Sequence, residues 1–216
     1  MNAYQTLQQK ALGLAFVLAP LLLVLGGAAF VLGIGLTPFG TDSVVDAVLF
    51  GYGAMLMIPV FLELARILGQ RAPVFGLICA VAGLFWAFFE IPVTLKLVQM
   101  DIIDAGLNQS IWAIAGVHPA WLPIFPIVVL IGHIAPLLLG IGLLWKGGIP
   151  RWAAGLLIVG AILLVIGVGG GAEIAFWQTG IVYPLATVAF LAALTPIGLR
   201  YLAGDSQVYE LGRATA

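Results

Sequence analysis

Residues 11–36 read ALGLAFVLAPLLLVLGGAAFVLGIGL, an apolar run without a charge. Lys10 stands immediately before it, as a cation stands before the core of a secretory leader. The run is longer than the ~7–15 residues of such a core. Roughly 20 predominantly apolar residues carry a helix through the hydrocarbon layer, so this stretch predicts a first membrane span.

Outward from it, the segments 44–68, 73–97, 121–145, 152–170 and 172–201 meet or approach the same length. Thr37-Pro38-Phe39-Gly40-Thr41-Asp42-Ser43 reads as a turn, with Ser43 able to cap the second helix. Gly69-Gln70-Arg71 closes that helix, Lys146 to Arg151 form a polar hairpin, and Gly169-Gly170-Gly171 join the last two segments tightly. The long connection 98–120 predicts an outer loop. Within it, Ser110 to Ala115 read as a short surface helix or as part of an ordered cap. The expectation is one all-α domain over residues 1–216, a polytopic membrane bundle of about six transmembrane helices.

Composition agrees. Of 216 residues, 63% are hydrophobic and 8% charged, against about 25% charged in soluble domains. Lipid is therefore the expected partner of the surface. A net charge of −1 gives no reason to expect nucleic acid. With the N-terminus inside, Lys10, Arg66, Arg71, Lys146, Arg151, Arg200 and Arg213 fall in the cytoplasm and only Lys96 outside. That split places both termini on the cytoplasmic side. Trp145, Trp152 and Tyr201 then form the inner aromatic belt, and Trp112, Trp121 and Trp177 the outer one.

Ionisable groups within a bilayer are costly and need a reason to be there. Glu63 and Arg66 are three apart and can pair on one helix face. Glu90 ends a stripe of small residues, Gly76, Cys79 or Ala80, Gly83 and Ala87. Such stripes let membrane helices approach closely, so Glu90 is expected to face protein as a proton or cation site or as an interhelical hydrogen-bonding group, the alternative being a carboxyl that snorkels to the outer headgroups. His133 falls near the middle of the fourth span, suited to a proton relay, a ligand contact or an axial haem ligand, or to a single hydrogen-bonded core histidine. His118 is fifteen residues earlier, about 20 Å along a helix, so the two cannot share a haem. Gln178 and Tyr183 in the sixth span and Tyr52 in the second complete a candidate outward-opening pocket with Glu90 and His133, provided these faces converge.

Cys79 is the only cysteine, so no intramolecular disulfide forms. The chain holds no Gly-Lys phosphate loop, His-Glu-x-x-His, Cys-x-x-Cys or Gly-x-Ser-x-Gly motif. No catalytic residue, metal site or resident cofactor is therefore expected.

Residues 132–158, GHIAPLLLGIGLLWKGGIPRWAAGLLI, carry a His-bearing helix that ends in Gly and a basic residue before Pro-Arg-Trp opens the next helix. This resembles a stretch of uncharacterised bacterial multi-pass membrane proteins. The resemblance covers about a third of the chain, implies an inner-membrane location and brings no active site with it. The functional expectation is proton-linked binding or transport of a small molecule through the outer pocket. The alternatives are an accessory subunit held among other membrane subunits, and a haem or pigment carrier through His133.

Overall fold

The computed structural model describes residues 3–35, 43–87, 124–168 and 177–204, and side chains of the fourth helix from Gly132 onward. Glu90, His118 and the connection 98–120 lie outside them. The described residues are helical, without strands. They form α1 (Ala3–Val31), α2 (Val44–Gly69), α3 (Pro73–Ala87), α4 (Ile124–Lys146), α5 (Arg151–Val168) and α6 (Tyr183–Leu202), the last entered through a π-helical turn, Gln178–Val182. Three helices, Ala3–Val31, Val44–Gly69 and Gly180–Leu202, are long and apolar enough to cross a membrane. The apolar stretches Pro73–Ala87, Gly132–Lys146 and Arg151–Gly167 are shorter.

Helix boundaries follow local chemistry. Ser43 caps α2, its hydroxyl accepting from the Asp46 N–H at 3.1 Å, as its position predicts. α1 differs from the expected 11–36. It begins at Ala3, because the polar residues before Ala11 are adequate helix formers although hydropathy passes over them. It stops at Val31 because Gly33 and Gly35 adopt φ of 71° and 67°, a conformation that ends helices. Pro184 has no N–H to continue the α-helical ladder. The Tyr183 N–H reaches back five residues to the Gln178 carbonyl, and that produces the π turn.

Each helix packs against its neighbours in sequence, and α6 closes the ring on α1. Neighbours run antiparallel. Gly13 lies beside Gly198 and Leu202 while Gly27 lies beside Tyr183 and Pro184. Likewise Gly142 meets Phe75 and Gly132 meets the Trp86 backbone. The centre is filled by Met57, Leu64, Leu68, Leu139, Leu157 and Phe190, all less than 2% exposed. Outward faces carry Leu18, Leu25, Met55, Leu77, Ile162 and Val188. A contiguous apolar exterior around a packed core suits lipid and not water. These are the properties of a helical membrane protein.

One end of the bundle, the terminal end, holds the described ends of α1 and α6 with the α2–α3 and α4–α5 turns. Tyr201 stacks on Phe16 there, at 5.6 Å between ring centres and 9° between planes. Arg71 Nη1 donates to the Lys146 carbonyl at 2.5 Å, tying the two turns together. Lys10, Arg66, Arg71, Lys146, Arg151 and Arg200 all belong to this end. Asp46, Tyr183 and the π turn lie at the opposite, distal end.

Candidate functional site

Two groups of buried polar side chains stand at opposite ends. At the terminal end, Glu63 is 7% exposed. Arg66 donates to it through Nε at 2.7 Å and Nη2 at 2.6 Å, the pairing its i, i+3 spacing predicts. Tyr201 donates its hydroxyl to Glu63 Oε1 at 2.5 Å. A buried carboxylate is tolerated when its charge is matched and its lone pairs are filled. Here one cation and one hydroxyl from two helices do both, so the carboxylate is satisfied within the bundle.

The distal end is arranged differently. Tyr183 directs its hydroxyl at Asp46 Oδ1 across 3.4 Å, a long contact. Asp46 in turn lies against Gly26 of α1, where a Cβ would stand 2.6 Å from Oδ1. Below this pair is an aromatic layer. Phe50 lies 6.0 Å from the Tyr183 ring and 6.2 Å from Trp86, and Phe61 meets Trp86 edge-on at 5.2 Å. Trp86 is 1% exposed and its indole Nε1 has no hydrogen-bond partner among the described residues. Buried indole N–H groups ordinarily have one. His133, 7% exposed, adjoins Gly132, whose Cβ position is 3.1 Å from Trp86 Cα.

Of the residues singled out in the sequence, His133 and Tyr183 are buried in the distal half of the bundle. Gln178 Nε2 donates to the Ile166 carbonyl at 3.2 Å, which holds the π turn to the end of α5. Tyr52 does not join them. It is 61% exposed, because it lies two residues from the inward-facing Phe50, about 200° round the helix. Gly76, Cys79, Gly83 and Ala87 do face protein, as the stripe predicts. Glu90, three residues further in sequence, lies outside the described residues. Sequence reasoning passed over Phe50 and Trp86. The i, i+4 spacing of Asp46 and Phe50, on the face that carries Met57 and Phe61, was the available signal.

Among the described residues no cluster of three metal-ligating side chains occurs. No protein-family model, curated protein or solved structure matches the chain.

Proposed function

We propose that the chain is a six-span protein of a bacterial inner membrane, with both termini in the cytoplasm, that binds a small molecule at its distal, outward end. Its site would be Asp46, Tyr183, His133 and the Trp86 N–H, together with Gln178 and, from the sequence alone, Glu90. Proton-linked transport would use Glu90 and His133. Asp46 enters this set and Tyr52 leaves it, because of the faces they occupy on α2. The observation that carries the reading is the contrast between the ends. The Glu63–Arg66–Tyr201 group satisfies itself, whereas the distal half buries an indole donor without an acceptor beside an aromatic layer and a histidine. A bound molecule with a carbonyl or similar acceptor would complete that donor.

The test is native mass spectrometry of gently solubilised protein, with an absorbance spectrum of the same sample. A small-molecule adduct lost in Glu90→Gln and His133→Ala, while melting temperature holds, supports the reading. Unchanged binding in both variants refutes it. A Soret band lost in His133→Ala would replace it with the haem alternative.

A second reading, an accessory subunit, rests on a different feature. Between α1 and α6 a shallow lipid-side groove is lined by Val17, Leu21, Val188, Leu191 and Pro196, with Thr195 whose buried Oγ1 has no partner among the described residues. A helix of another subunit could fill the groove and meet that hydroxyl. Stoichiometric co-purification of a partner, lost in Thr195→Leu, would favour it.

A further inference from the structure

A second lipid-side groove runs between α2 and α3 near the terminal end. Leu62, Ala65 and Gly69 form one wall and Gly76, Leu77 and Ala80 the other. Its floor is backbone. A Cβ on Gly76 would lie 2.5 Å from Gly69 Cα and 2.8 Å from the Ala65 carbonyl oxygen, so the two helices touch without intervening side chains. Arg66 and Gln70 also line the groove. In the Glu63–Arg66 pair the carboxylate is 7% exposed and the guanidinium 42%, so the cation is the member turned outward.

The level of that rim is fixed by its neighbours. Arg71 follows Gln70 and is bonded to the Lys146 carbonyl. Lys146 Nζ sits 3.8 Å over the ring of Trp145, which is 75% exposed, and Trp152 beyond the turn is 52% exposed. Exposed tryptophans at one level, flanked by cations, mark a membrane–water boundary. The groove therefore starts among headgroups and runs into the hydrocarbon layer.

We propose that the α2–α3 groove is a binding site for one anionic phospholipid. An acyl chain lies along Gly69, Gly76, Leu77 and Ala80, and the phosphate is held by Arg66 and Gln70 with Arg71 alongside. The apolar length and the cationic rim match the two halves of such a molecule, and basic groups at this level attract anionic lipid. A second copy docked symmetrically through the groove would set Arg66 against its own equivalent. This inference rests on the membrane topology and is independent of the distal pocket.

The experiment reconstitutes the full chain in vesicles of equal phosphatidylglycerol and phosphatidylcholine, then counts retained lipids by native mass spectrometry after gentle extraction. The native chain should retain one phosphatidylglycerol in several-fold preference over phosphatidylcholine. A side chain at Gly69 would meet only Gly76 Cα at 3.9 Å, so Gly69→Leu should fill the groove without parting the helices and abolish retention. Gln70→Glu, after the helix end, should erase the preference while leaving the melting temperature unchanged. Equal retention of the two lipids by the native chain, or an intact preference in both variants, overturns the proposal. A dimer mass that disappears in Gly69→Leu overturns it too, since the groove would then be a contact between copies.

Discussion

Tyr201→Phe isolates the one hydroxyl that joins α6 to the buried carboxylate of α2. Phenylalanine keeps the ring, and with it the stack on Phe16, and removes the hydroxyl that donates to Glu63 Oε1. Interhelical hydrogen bonds in membranes contribute on average ~0.6 and at most ~1.7 kcal/mol. Bonds to charged groups in soluble proteins contribute ~1.5–3 kcal/mol. With Tyr201 1% and Glu63 7% exposed, the two ranges overlap near ~1.5 kcal/mol, and that is the expected loss. In a chain of this size it lowers the melting temperature by roughly 3–6 °C.

Thermal unfolding in mild detergent, followed by tryptophan fluorescence, gives the single-variant value. The decisive comparison is a double-mutant cycle with Glu63→Gln, which keeps the shape and removes the charge. In that background Tyr201→Phe should cost only ~0.5 kcal/mol, because the acceptor is now neutral. If the hydroxyl's removal costs under ~0.5 kcal/mol in the native chain, or costs the same in both backgrounds, the closed ion-pair group is not what holds the terminal end together.

Four further outcomes are expected. Gly76→Ala should lower stability by about 1–3 kcal/mol, since its methyl would press on the Gly69 backbone, whereas Gly155→Ala, with nothing within 4 Å, should raise it by up to ~1 kcal/mol; chemical or thermal unfolding separates them. Trp86→Phe should cost much less than the ~3–5 kcal/mol of Trp86→Ala, because no hydrogen bond is lost with the N–H; calorimetry reads the difference, and ligand binding should still fall. Tyr52→Ala should alter neither stability beyond ~0.5 kcal/mol nor ligand retention, as that side chain faces outward. In a Cys79→Ala background, single cysteines replacing Arg71 and Gly147 should react with an impermeant thiol reagent only from the cytoplasmic face, and one replacing Asn108 only from outside; labelling of Arg71→Cys from outside would invert the topology.

The helical architecture was legible because each helix in lipid must be apolar on its outer face and closed in its backbone hydrogen bonding. Composition reports both. The cap at Ser43, the ends of α2 and the Glu63–Arg66 pair were legible for the same local reason: they depend on neighbours within four residues. The start of α1 was not, because hydropathy measures transfer to lipid, and residues 3–10 are helical without being apolar. The π turn was not legible either, since a proline at 184 is equally consistent with a kink or a plain helix start. The candidate site was legible only in part. Tyr183 and His133 are buried as expected, but which face of α2 turns inward depends on packing around the ring. In a helix that is apolar on every side, the amphipathic signal that would have excluded Tyr52 is weak.

The two ends differ in how they treat polarity, and that difference bears on direction. At the terminal end the carboxylate is neutralised by Arg66 within the bundle, and five further cations belong to the same end. Leu64, Leu68, Leu139 and Leu143 are packed at the same end, each fully buried. At the distal end, Asp46 and Tyr183 meet across 3.4 Å, and the indole N–H of Trp86 has no acceptor among the described residues in the layer below. A donor buried in lipid-like surroundings without an acceptor costs free energy, and the same donor gains that free energy back when a ligand supplies the acceptor. On the proposed reading the asymmetry favours binding at the distal end, and the Glu63–Tyr201 bond stands at the other end of any path onward. The Tyr201→Phe variant consequently has a second readout: if this chain transports what it binds, weakening the terminal lock should speed release on that side while leaving affinity at the distal site unchanged.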